Sequence, residues 1–148
     1  MSPASASPRQ VFERLLLDVS SQHRTDVPSL YAENAVVEHP FALPAPGRLE
    51  GRDQIRAHFD AARSMPLDLE VSNVTIHQTS DPEVVVGEFD YTGRVTTSRR
   101  TFRVANIIVM RVRDGEILSS RDYHNHAAIA DAMADLLADQ TPDVTTST

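Results

Sequence analysis

Thr101-Phe-Arg-Val-Ala-Asn-Ile-Ile-Val-Met-Arg-Val-Arg113, then Asp114-Gly115, then Glu116-Ile-Leu-Ser-Ser-Arg-Asp-Tyr-His-Asn125 is the stretch that decides the fold. Two runs of β-branched and alternating residues flank an Asp-Gly pair, the strongest short-range signal for an antiparallel hairpin. Upstream, the turn at Asp81-Pro82 leads into a further strand, Val84 to Tyr91, and a longer hairpin around Gly93 joins it to Thr101. Before that, Leu67, Leu69 and Val71 alternate and the phase then slips to Val74 and Ile76, which predicts a strand with a bulge near Asn73. Earlier still the period is helical. Val11, Phe12, Leu15, Leu16 and Val19 form one apolar stripe opened by Pro8, and Ile55, His58, Phe59 and Ala62 form another within Gly51 to Ala62. Between them, Asp26 as cap and Pro28 predict a short helix through Tyr31, and Ala35 to Glu38 reads as a strand that stops at Pro40. Downstream, Asn125 caps a last helix whose Ile129, Met133, Leu136 and Leu137 share a face. The order predicts one α+β domain over residues 8–139: three N-terminal helices on one side of a curved antiparallel sheet, and a C-terminal helix. Residues 1–7 and 140–148 read as disordered tails.

Composition removes several chemistries. All 14 basic residues of the 148 are Arg, and there is no Lys, Cys or Trp. A Schiff base, a phosphate-loop lysine, a thiolate nucleophile and a cysteine zinc site are therefore excluded. The five Gly are too dispersed for a dinucleotide or phosphate fingerprint, and the expectation is that no cofactor is needed. A net charge of −7 argues against nucleic acid as a partner. The longest apolar run near the N-terminus is Leu15-Leu16-Leu17, far short of the ~7–15 residues of a signal peptide or the ~20 of a membrane span, so no membrane partner and a cytoplasmic location are expected.

Strand alternation indicates which polar groups meet. Glu88 and Asp90 share a face with Val84 and Val86, while Phe89 and Tyr91 take the other. Asp122 and His124 share a face with Leu118, opposite Arg121 and Tyr123, and His39 shares a face with Val37. Charges mixed with Val and Leu on one face are costly unless paired or turned to a pocket, so Glu88, Asp90, Asp122, His124 and His39 are candidate pocket groups. The proline-punctuated loop Phe41-Ala-Leu-Pro-Ala-Pro-Gly47 suits a lid. His124 and His126, at i and i+2, invite a metal, but the Ala127, Ala128, Ile129 and Ala130 that follow supply no third ligand, and no metal is expected.

Leu30-Tyr-Ala-Glu-Asn-Ala-Val-Val-Glu-His-Pro40, Leu49-Glu-Gly-Arg-Asp-Gln-Ile-Arg56, Arg113-Asp-Gly-Glu-Ile117 and Ser120-Arg-Asp-Tyr-His124 together resemble the SnoaL-like proteins of the nuclear-transport-factor-2-like superfamily. That superfamily includes polyketide cyclases, ketosteroid isomerase, limonene epoxide hydrolase, dehydratases and non-catalytic modules, so the resemblance speaks for fold more than reaction. It implies a cone-shaped curved sheet wrapped over helices, a pocket in the concave face and homodimers across the convex face. Val37-Glu38-His39-Pro40 is similar to the ketosteroid isomerase stretch Val-Glu-Asp-Pro, with His39 in the place of the proton-shuttling Asp, while the isomerase's helix-one tyrosine falls near Leu15. Ser120 to Asn125 is similar to the epoxide hydrolase motif Trp-Arg-Asp-Tyr-Phe-Asp, whose first Asp activates water and corresponds to Asp122. The hydrolase's Arg-x-Asp corresponds to Glu88-Phe89-Asp90. The phenazine-biosynthesis A/B proteins match His39 and Asp122 in kind.

The resulting expectation is an acid-base enzyme for a small, mostly apolar molecule, of cyclase, isomerase or condensation type. Asp122 is the principal base, His39 its opposing acid or base, and Glu88 and Asp90 hold a proton nearby. Val37, Phe41, Ile55, His58, Phe59, Val86 and His124 are expected to line the pocket. The alternatives are an epoxide-opening hydrolase or cyclase and a non-catalytic dimeric binding module. A homodimer is expected through Phe89, Tyr91, Arg121 and Tyr123 on the convex face.

Overall fold

The computed structural model describes residues 5–20 and 27–140, with 135–140 as backbone only. Along the chain lie α1 (Pro8–Val19), a 3-10 turn (Val27–Leu30), β1 (Tyr31–His39), β2 (Gly47–Glu50) and α2 (Arg52–Arg63). Then follow β3 (Leu67–Gln78), β4 (Val84–Val95), β5 (Thr101–Arg113), β6 (Glu116–His124) and α3 (His126–Gln140). The strands form one sheet in the order β2-β1-β6-β5-β4-β3. The predicted meander β3 to β6 is antiparallel throughout, but β1 runs parallel to β6, so the sheet is mixed rather than purely antiparallel. A parallel pair needs a long connection, and here everything from β2 to β5 provides it.

Helix α1 opens at Pro8, as the sequence suggests, and Ser7 caps it. The Ser7 hydroxyl accepts from the Gln10 amide at 3.2 Å and the Gln10 side chain accepts from the Ser7 amide at 2.9 Å, a reciprocal capping box. Ser7 thus belongs to the helix rather than to a tail; residues 1–4 and 141–148, also read as tails, lie outside the described residues, as do His23 and the cap assigned to Asp26. Val11, Phe12, Leu15 and Leu16 bury the inner stripe. Phe12 settles the orientation of β4, because its ring lies where a Cβ at Gly87 would stand, 2.1 Å away, and meets Phe89 edge-on. Val85, Gly87, Phe89 and Tyr91 are therefore the inner row of β4, the reverse of the phase read from the sequence. The sequence is ambiguous there because both rows begin with Val, and only the helix that needs a gap above Gly87 resolves it.

The predicted bulge is present: the β3/β4 register shifts between Ser72 and Thr75, with Asn73 at φ 55°. The Asp114-Gly115 turn has positive φ at both residues, 52° and 77°, as a two-residue hairpin turn requires. Asn125 caps α3 through its side-chain oxygen, 3.2 Å from the Ala128 amide; Leu136 and Leu137 lie where side chains are not described. Part of the proline loop is strand, since Gly47–Glu50 pairs with Val36 to His39. Phe41 does not close over the concave face. It meets Tyr123 edge-on on the outer face, ring centroids 5.2 Å apart, and stays 63% exposed. Among the described residues no helix is long and apolar enough to cross a membrane.

Candidate functional site

The parallel ladder positions the chemistry. Val37 pairs with Ser120 and Glu38 with Arg121, so the next step along both strands sets His39 beside Asp122. On the other side of β6, the antiparallel register places Asn106 of β5 opposite His124. Alternation points Ser120, Asp122 and His124 inward together, and α2 and the first residue of α3 add His58 and His126. Four imidazoles and a carboxylate thus gather against an otherwise apolar core. The His39 ring lies 5.3 Å from that of His58, 6.0 Å from His124 and 6.2 Å from His126.

Asp122 is buried. Its Oδ1 accepts a short hydrogen bond from the Ser120 hydroxyl, and its Oδ2 lies 3.7 Å from His39 Nε2 and 3.8 Å from His124 Nε2. Burial pushes its pKa up to about 6, and the Ser120 hydroxyl offsets this in part. Burial and the neighbouring rings drive His39 down to about 4 and His124 to about 3, and burial lowers His58 as well. The His39–Asp122 approach is therefore not an ion pair. At neutral pH both imidazoles are uncharged and the carboxylate is the one poised to take a proton.

The tautomer of His124 is fixed by its neighbour. The Asn106 amide nitrogen faces the carbonyls of Val104 at 3.0 Å and Phe89 at 3.4 Å, so its oxygen turns to His124 Nδ1, 2.6 Å away. Only a protonated Nδ1 can donate there, which leaves the Nε2 lone pair facing the cluster. The tyrosines bring phenols close by. Burial, with the charge on Asp122, raises the pKa of both Tyr31 and Tyr91, so each stays a neutral hydroxyl within the electrostatic reach of that carboxylate.

Of the residues singled out in the sequence, His39, Asp122, His124 and His58 come together, with Val37 buried behind them. Phe59 packs on Tyr31 and on His58, and Ile55 is fully buried in the core. Glu88 and Asp90 do not join them. Both lie on the outer face, where Glu88 meets His77 at 2.7 Å, and Asp90 accepts from Asn73 at 2.8 Å and Arg103 at 2.7 Å, contacts that lower its pKa. Val86 shares their row and Phe41 sits over Tyr123, so neither lines the cluster. For the same reason Phe89 and Tyr91 leave the proposed dimer face, while Arg121 and Tyr123 remain on it.

Asn106, Ser120 and Tyr31 had no role read from the sequence, Tyr91 was expected on the dimer face, and His126 was weighed only as a metal partner of His124. Asn106 had a visible signal, being the one polar residue in the inward row Val104, Asn106, Ile108, Met110, Val112. A metal looked unsupported while His124 and His126 were read as a pair. The fold supplies other donors, because ligand atoms of His39, Asp122 and His124 all lie within 4.8 Å of one another. Two open surface clefts, about 710 Å³ beside Arg48 and Glu50 and about 460 Å³ beside Leu17 and Val74, lie apart from the cluster.

Comparison with known proteins agrees with this architecture. The family model of the SnoaL-like domain matches residues 12–120. A PhzA/B-like protein of Pseudomonas aeruginosa, itself uncharacterized, is 38% identical over 99 residues, 65% of this chain and 68% of that protein. A crystal structure of a candidate isomerase from Bacillus subtilis superposes with a TM-score of 0.77 at 26% identity, covering 86% of this chain and 92% of that one. A candidate polyketide cyclase of Pseudomonas putida shares the fold alone, with a TM-score of 0.72 at 11% identity over 86% of this chain and 98% of that one. With the inward cluster, the helices over the sheet and the match to most of its length, the chain belongs to the SnoaL-like family.

Proposed function

We propose that the protein is an acid-base enzyme of the cyclase or isomerase type, acting on a small, mostly apolar molecule with an enolisable carbonyl. The observation that carries this reading is the buried Asp122 carboxylate, pushed up to about 6, with Oδ2 3.7 Å from the uncharged His39. A base with a pKa near the working pH combines a high ionised fraction with adequate proton affinity. Asp122 removes the proton beside the carbonyl, the electron pair moves to the carbonyl oxygen, and an N–H of neutral His39 donates to the oxyanion that forms. Return of the Asp122 proton to another carbon isomerises; attack of the enolate carbon on a second carbonyl closes a ring. Tyr31 and Tyr91, both kept protonated, are further donors near the developing charge. Epoxide opening has less support, since Glu88 and Asp90, the counterparts of the hydrolase's second pair, face outward.

The test is hydrogen exchange. A panel of enolisable ketones and β-dicarbonyls in deuterium oxide, followed by proton NMR, should include members whose α-protons wash out in the presence of the chain. Asp122→Asn should slow that exchange by two or more orders of magnitude, and His39→Gln by less. Ligands that bind without exchanging would assign the fold to a non-catalytic module instead.

A second copy of the chain is the proposed partner, seated on the outer face that presents Ile107 (41% exposed), Arg121 and the Phe41–Tyr123 pair. Aromatic residues and Arg on an exposed sheet face have the composition of an interface.

A further inference from the structure

We propose that His39, Asp122 and His124 form a site for one divalent first-row transition ion of the zinc type, at the inner end of the β1–β6 ladder. The donor groups are already convergent: His39 Nε2 and His124 Nε2 lie 3.7 and 3.8 Å from Asp122 Oδ2, and one ligand atom from each of the three residues falls within 4.8 Å of the others. With metal–ligand bonds of about 2.0–2.2 Å, ligands of a tetrahedral ion stand roughly 3.4 Å apart. Small rotations of the two rings close the remaining gap. Two imidazoles and one carboxylate suit zinc, cobalt, nickel or iron rather than magnesium or calcium, which prefer all-oxygen shells.

Two independent features prepare these atoms for a cation. Asn106 holds the Nδ1 proton of His124, so Nε2 carries the lone pair and lies 3.8 Å from Asp122 Oδ2, two acceptors side by side with no hydrogen bond between them. This is the arrangement by which outer-shell partners orient ligating histidines. Ser120 likewise occupies Oδ1 of Asp122 and leaves Oδ2 to the rings. The second feature is His126, whose Nε2 is enclosed and has no hydrogen-bond partner, and whose ring lies 5.7 Å from that of His124. It is a spare imidazole beside a three-donor set, available as a fourth ligand.

An ion held there would engage the carboxylate oxygen that serves as base in the acid-base reading, so the loaded chain would be the inactive form. That consequence rests on the acid-base reading; the binding does not. The untagged full chain, stripped by chelator, is titrated with Co²⁺ and read by visible absorption, and with Zn²⁺ by calorimetry. One equivalent should bind, with the absorption of a low-symmetry four- or five-coordinate cobalt. Asp122→Asn and His124→Gln should each weaken binding at least 100-fold. Asn106→Leu, which removes no ligand atom, should weaken it about 10–100-fold. His77→Gln, on the outer face, should leave it unchanged. Absence of a saturable cobalt spectrum, or binding undiminished in both ligand variants, overturns the proposal. Should His124→Gln not fold, His39→Gln on a different strand replaces it in the comparison. The two readings fail separately: ketone exchange without cobalt binding removes the metal site alone, and cobalt binding without exchange removes the acid-base reading alone.

Discussion

His124 Nδ1 and Asn106 Oδ1 lie 2.6 Å apart across the β5–β6 pair, and the Asn106 amide nitrogen is committed to two backbone carbonyls. This buried side-chain bond connects the sheet's hydrogen-bonded framework to the orientation of a site residue. Replacing Asn106 by Ala leaves a buried N–H on His124 without a partner, which costs about 1–3 kcal/mol. The urea midpoint should fall accordingly. Nitrogen-15 shifts of His124 should show the Nδ1–H tautomer in the parent protein and a mixture in the variant; a parent spectrum with the proton on Nε2 would contradict the assignment.

Replacing Asp122 by Asn should leave the fold intact or firmer at pH 7 to 8. The groups beside it are a hydroxyl and two uncharged rings, so the variant removes a buried negative charge and keeps the shape. Melting temperature measured alongside exchange rate separates this from a structural role. A marked loss of stability, with activity reduced only in proportion, would make Asp122 a scaffold residue.

Acid stability follows from the same groups in the metal-free chain. His39 and His124 bind protons only near pH 4 and 3 when folded, against 6.5 in the unfolded chain, whereas Asp122 binds its proton near 6 when folded and 3.8 when unfolded. Between about pH 4 and 6 the unfolded chain therefore holds two extra protons on these histidines and the folded chain one extra on Asp122. Stability contributed by the histidines grows as pH rises through this window, and that contributed by Asp122 is lost. The net is about one proton in favour of the unfolded chain, a gain in stability of about 1.4 kcal/mol per pH unit on going up. Urea unfolding across the window should show that slope, and Asp122→Asn should steepen it toward two protons.

Gly87→Ala should destabilise by about 1–3 kcal/mol, because the new methyl group meets the buried Phe12 ring. Combined with Phe12→Leu the two losses should be less than additive, since the smaller side chain vacates the contested space. Strict additivity in denaturant midpoints would mean that the ring does not fix the β4 orientation.

Ile107→Glu should yield a monomer of 16.4 kDa by light scattering while the parent runs at twice that mass. The substitution places a charge at an exposed point of the outer face without touching the inner row. A monomeric parent at micromolar concentration would remove the second copy as partner.

Much of this was legible from spacing. Asp114-Gly115, the phase slip at Asn73 and the Asn125 cap are each set by one or two residues and their immediate neighbours, and each is where the sequence put it. The face of β4 was not legible, because Val84 and Val86 compete with Val85 and the deciding contact comes from Phe12 on a distant helix. That single inversion moved Glu88 and Asp90 from pocket to outer surface and Tyr91 the other way. His39 and Asp122 were found because alternation sets them in the rows of Val37 and Leu118, and because both fall in stretches that resemble the family. Their proximity to His58 and His126 depends on how α2 and α3 lie over the sheet, which periodicity does not report.

The parallel pairing of β1 with β6 joins the first long strand of the chain to the last. Closing a loop of that length carries an entropic cost that local hairpins do not, and contacts between sequence-distant segments form late when a domain folds. The meander β3 to β6 can assemble from neighbours, but His39 reaches Asp122 only when β1 docks along the finished edge. On the acid-base reading, a nascent or partly opened molecule lacks one half of the pair, and competence to react would report that β1 has docked.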